Sequence, residues 1–118
     1  MTLEELVEEF AQNVSAQADA ILRGDAKTGN RHADRYVKAF KKLRKEGNAG
    51  RDALAVLLGH PRMDVRVAAA ACLLRHKTKE AQRILEQAAA GEGLAAFEAQ
   101  QVLKNWQNGT WALDPADS

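Results

Sequence analysis

The sequence predicts an all-α protein, a stack of antiparallel helical hairpins with about six helices. Three observations carry this. Apolar residues recur at helical spacing in six successive segments. No segment alternates apolar and polar residues long enough to make a strand. All eight glycines fall at the expected helix boundaries. Hydrophobic residues make up 46% of the 118 residues but aromatics only 5%, so alanine, leucine and valine must fill the core.

Thr2-x-x-Glu5 is a capping box and starts the first helix near Leu3. Leu3, Leu6, Val7, Phe10, Val14, Ala18, Ile21 and Leu22 form its stripe, which stops at Gly24. Residues 24–30 read as a loop and residues 30–46 as the second helix, with Ala33, Tyr36, Val37, Phe40 and Leu43 on its inner face. Gly47-Asn48-Ala49-Gly50 breaks it, and a short third helix covers 51–58. The fourth, over 63–76, is apolar nearly all round and therefore needs cover on more than one side. Thr78 caps a fifth helix over 79–90, and a sixth runs over 94–106 to Asn108-Gly109. Trp106 packs on the last hairpin. Trp111 either folds back as a cap or anchors a partner. Residues 112–118 read as a flexible tail.

Two blocks, 53–74 and 81–103, look alike: Ala70-x-x-Leu73-Leu74 corresponds to Ala99-x-x-Val102-Leu103 at an offset of 29. A single two-helix hairpin cannot bury its apolar face, so repeated hairpins cover one another. Leu57, Leu58, Pro61, Asp64, Val65, Arg66, Ala68, Ala69 and Leu73 resemble the core of a HEAT repeat, in which a proline turn precedes an Asp-Val-Arg helix start. With the 30–40 segment and Trp106-x-x-Gly109, the chain resembles small bacterial HEAT-like proteins of poorly characterised function, some of them immunity partners of toxins. The resemblance implies a right-handed HEAT-like superhelix over 1–111 as one domain. It also implies a structural role for Arg66, bonding the neighbouring turn through Asp64 or a carbonyl. The second block departs from the pattern, with Gly93-Leu94-Ala95 where Asp-Val-Arg would stand.

The net charge of +1 hides a marked split. Residues 1–22 contain Glu4, Glu5, Glu8, Glu9 and Asp19 and no Lys or Arg. Residues 23–51 contain ten Lys or Arg against three acids. The outer face of the second helix carries Arg31, Arg35, Lys38, Lys41, Lys42, Arg44 and Lys45. That face is solvated, pairs with the acidic first helix, meets an acidic protein, or tracks phosphates. Nucleic acid is the weaker expectation, because no aromatics interleave with the cations for stacking.

Local motifs for catalysis are missing. His32, His60 and His76 fit no zinc spacing, Glu4/Glu8 and Glu5/Glu9 lie on a solvated helix start, and Cys72 sits in an apolar run as a buried thiol. The sequence therefore predicts no enzyme, metal or cofactor. It lacks a signal-peptide pattern and any apolar run long enough to span a bilayer, so a cytoplasmic protein without a membrane partner is expected. The expected function is non-enzymatic protein binding, in its most specific form an immunity protein occluding a toxin. The alternative is nucleic-acid binding through the basic helix 31–45. Candidate contacts are Arg35, Lys38, Lys42, Arg66, Glu98 and Gln101, all expected to be exposed.

Overall fold

A computed structural model of the chain describes residues 1–111. The tail expected at 112–118 lies outside the described residues. Six α-helices are present among the described residues: α1 (Leu3–Leu22), α2 (Ala26–Lys45), α3 (Asn48–Ala55), α4 (Met63–Leu73), α5 (Thr78–Ala89) and α6 (Leu94–Gln107). A 3-10 turn covers Val56–Gly59, and no strand occurs among the described residues. The all-α, antiparallel-hairpin expectation agrees with this. The helices divide into two compact units, Met1–Leu57 and the residues from Leu58 onward.

In the first unit α1 starts where the capping box places it. The Glu5 amide donates to Thr2 Oγ1 at 3.1 Å and the Thr2 amide to Glu5 Oε1 at 2.9 Å. Leu6, Phe10, Val14 and Ala18 are buried along its stripe. Gly24, at φ +79°, turns the chain after it, a conformation glycine adopts without a Cβ penalty. Helix α2 then starts at Ala26, four residues before the expected position. Asp25 is the reason: its carboxylate accepts from the Thr28 amide at 3.1 Å, so the helix is already capped before the Thr-Gly-Asn run that reads as a loop. Gly29 is therefore helical, buried against α1, and not a boundary residue.

The expected break at 47–50 also shifts. Only Gly47 turns the chain, at φ +64°, and α3 begins at Asn48, three residues earlier than expected. Gly50 lies inside α3 because that helix crosses the end of α2 with no space for a side chain. A Cβ there would lie 1.8 Å from the Leu43 carbonyl oxygen. Val56, Leu57 and Leu58, expected as α-helix, tighten into the 3-10 turn.

In the second unit, consecutive helices pack as hairpins around Val67, Ala70, Leu74, Ala81, Leu85, Ala88, Ala99 and Val102. Ala70, Ala81 and Ala99 are fully buried, and so the helices approach closely. The offset of 29 in the sequence has a counterpart in burial, with Ala70, Leu73 and Ala99 fully enclosed and Val102 nearly so. Helix α4 is buried along Val65, Val67, Ala69, Ala70, Ala71, Cys72 and Leu73, as its all-round apolarity requires. It stops at Leu73, short of the expected residue 76, leaving His76 in the following turn, its amide donating to the Leu73 carbonyl at 3.1 Å. Thr78 does not cap α5. It is the first helical residue, and its hydroxyl donates back to the Leu74 carbonyl at 2.7 Å. Helix α6 ends as expected, with Gly109 at φ +74°.

Trp111 folds back. Its indole Nε1 donates to the Ala71 carbonyl at 2.9 Å, and its ring joins Trp106 against the second core. Ala71 lies in the last turn of α4, where carbonyls have no intrahelical partner. Of the two readings the sequence leaves open, the cap is the one seen.

Candidate functional site

The outward face of α2 is set by what its inward face does. Ala39, Phe40 and Leu43 are buried, and Tyr36 meets Phe10 edge-on with ring centroids 5.4 Å apart and planes at 74°. Beside them, His32 Nδ1 lies 2.9 Å from Asn13 Oδ1, while Asn13 Nδ2 donates to the Glu9 carbonyl at 2.8 Å. Asn13 is only 8% exposed, so this pair satisfies the single buried polar side chain among the described residues and fixes how α2 faces α1. Sequence reasoning missed it. The available signal was an asparagine three residues after Phe10, inside an apolar stripe.

With that face fixed, Arg31, Arg35, Lys38, Lys42 and Lys45 point away from the hairpin, and all five are exposed. Their steps of four, three, four and three residues make one straight row, about 21 Å long at the rise of an α-helix. Arg31 Nη2 donates to Thr28 Oγ1 at 3.3 Å. Among the described residues, no ion pair or hydrogen bond engages the side chains of Arg35, Lys38 or Lys42. The acidic first helix therefore does not neutralise them. Lys42 and Lys45 also border a cleft of about 300 Å³ with Met1, Leu6 and Glu46. The last turn of α2 carries Lys42, Arg44 and Lys45, where cations complement the helix dipole.

The other three candidates lie in the second unit, and two are not exposed as expected. Arg66 is half-buried and committed to the turn before α4: its Nη1 donates to the His60 carbonyl and, at 3.1 Å, to that of Pro61. Its role there is a local one, played through backbone carbonyls. Asp64 is engaged elsewhere. Arg62 clasps it with two bonds, at 3.0 Å and 2.7 Å, and it accepts from the Val65 amide at 2.8 Å. Glu98 is half-buried, and that burial raises its pKa above the ordinary glutamate range, with the charge of Asp64 adding to the effect. Only Gln101 of this trio is exposed.

The groups with chemical potential are occupied locally. His60 Nδ1 accepts from the Arg62 amide at 3.0 Å, which puts the proton of the neutral ring on Nε2. Cys72 is buried. Among the described residues, no group of three or more His, Cys, Asp or Glu could hold a metal ion, and no helix is long and apolar enough to cross a membrane.

A solved structure, that of the protein RPA1889 from Rhodopseudomonas palustris CGA009, is similar to this chain. It has a TM-score of 0.87 and 29% identity over 93% of this chain and 92% of that one. No protein of curated function matches. The family description "Domain of unknown function (DUF2019)" matches residues 4–107, nearly the whole of both helical units, and the chain belongs to that family.

Proposed function

We propose that this chain is a non-enzymatic protein-binding module that presents the outward face of α2 to an acidic partner. The observation that carries the reading is the row Arg35, Lys38 and Lys42, exposed and unpaired among the described residues on a helix held rigid from behind. Like charges three and four residues apart repel by a few tenths of a kcal/mol per pair, so the row does not serve the helix itself, apart from the favourable place of Lys42 in the last turn. A partner carrying carboxylates relieves that repulsion and gains on-rate from the concentrated field. Gln101 offers a polar contact in the second unit, whereas Arg66 is committed to the turn before α4 and Glu98 is half-buried.

The finer form of the proposal is an immunity protein that occludes a toxin. It draws on the HEAT-like pattern from Leu57 to Leu73 and on the matching burial of Ala70 and Ala99. The test uses the native host. Partners are captured with the wild-type chain and with an R35E/K38E/K42E variant. An acidic protein held by the wild type, lost by the variant and released by salt is the expected result. A partner held equally by both removes the α2 face from the proposal. A captured partner that is not toxic, or whose toxicity persists on co-expression, removes the immunity form.

The second reading, nucleic-acid binding through residues 31–45, rests on the same row. Tyr36, the aromatic residue within it, is turned inward onto Phe10 and offers no stacking platform. Low-salt gel retardation with duplex DNA and single-stranded RNA decides this, since phosphate contacts make affinity fall steeply with salt.

A further inference from the structure

A second surface of the first unit has the opposite character. Leu3 and Val7 of α1, Ala53 of α3 and Val56 of the following turn line an open groove of about 370 Å³, with Glu4 and Glu8 along its edge. Its floor is predominantly apolar, and Val56 is 73% exposed, although valine gains from burial. The groove lies near the lower limit of ligand-site sizes and suits one or two large side chains.

The charged side chains that line it are of one sign. Glu4 and Glu8 are one helical turn apart on the same side of α1, and residues 1–22 contain no Lys or Arg. Glu8 Oε1 accepts from Gln12 Nε2 at 2.8 Å, which steadies that carboxylate at the edge. Glu5 is turned to the capping box with Thr2 and is not part of the edge.

The geometry points to a docking site for a basic amphipathic helix of a partner protein. Apolar anchors spaced three or four residues apart would sit on Leu3, Val7 and Val56, with Lys or Arg flanking them against Glu4 and Glu8. Apolar anchors in a groove supply affinity, and edge charges select the partner and its orientation. A peptide with acidic flanks meets two carboxylates at the edge and is rejected. This surface is separate from the basic row of α2, and its occupant has the opposite charge, so the two sites stand or fall independently.

The probe is a fluorescein-labelled helical peptide of about four turns, with leucines at i and i+4 flanked by lysines. Its control replaces the lysines with glutamates. Expected are saturable binding of the lysine peptide, at least tenfold weaker binding of the control, and NMR shift changes centred on Leu3, Val7, Ala53 and Val56. Val56→Glu and a paired Glu4→Lys/Glu8→Lys variant should each weaken binding at least tenfold with unchanged circular dichroism. All three positions are at the surface, which keeps the fold intact. R35E/K38E/K42E should not weaken it. No saturable binding, equal binding of the control, shifts centred elsewhere, or indifference to both groove variants overturns the proposal.

Discussion

Two glycines of this chain look interchangeable in the sequence and are opposite in the structure. At Gly50 a Cβ would lie 1.8 Å from a backbone oxygen, that of Leu43, so α2 and α3 would have to separate. Gly50→Ala is expected to cost about 3 kcal/mol, seen as a large fall in Tm. At Gly29 the nearest neighbours of a Cβ are Ile21 Cγ1 at 3.5 Å and Gln17 O at 3.7 Å, ordinary contact distances. Gly29→Ala should raise stability by about 0.5–1 kcal/mol, because alanine is the better helix former and its methyl fits. Thermal unfolding of the two variants side by side checks both signs. Trp111→Phe keeps the ring but leaves the Ala71 carbonyl without its donor, at a cost of about 1 kcal/mol. Equal melting of Trp111→Phe and wild type would show that the indole bond contributes nothing.

At the level of the element, the helix carboxylates respond to pH with opposite signs. Glu5 is held below the ordinary glutamate range by the Thr2 amide first and then its hydroxyl, and Asp25 below the aspartate range by Thr28. A lowered carboxylate stabilises the fold above its unfolded pKa, and this is lost as pH falls through the folded value. Exchange protection of the Thr2 and Thr28 amides, the ones the Glu5 and Asp25 carboxylates accept from, should therefore fall below about pH 4. Glu98 behaves in the reverse sense. Its raised pKa means that the folded state binds the proton more tightly, so stability declines as pH rises from the ordinary glutamate value to the folded one. Glu98→Gln should melt higher than wild type at pH 7 and close to it at pH 4. A difference that does not change with pH would mean that the ionised carboxylate is not the destabilising species. Both ends of helix α1 were legible in the sequence because its capping box and stripe are local signals, although Ile21 and Leu22 at the end of that stripe are exposed. The start of α2 was not, because a capping Asp25 outweighs a helical glycine that reads as punctuation.

Across the whole molecule, a net charge of +1 is the sum of an acidic α1 and a basic α2, and the two do not cancel by pairing at Arg35, Lys38 or Lys42. If that row is a binding surface with no structural duty, R35E/K38E/K42E should leave stability within about 0.5 kcal/mol per substitution. Unfolding of the variant at moderate temperature would instead make the row part of the fold. Of the six candidate contacts, the three on α2 and Gln101 keep the exposure the sequence predicts. Arg66 and Glu98 do not, because their exposure depends on neighbours distant in the chain or across a turn.

The sequence by itself determined the helical class, the number of helices, most of their ends, and the separation of acidic from basic residues. These follow from local capping, from a 3.6-residue period and from composition. Tertiary structure alone decided which glycine is a turn and which is a contact, and turned Tyr36 inward onto Phe10. It also buried Asn13 against His32, sent Trp111 back to Ala71, and brought Ala53 and Val56 beside Leu3 and Val7 to make a groove. Each of these depends on two elements meeting at a particular distance and rotation, and a one-dimensional pattern carries no such distance.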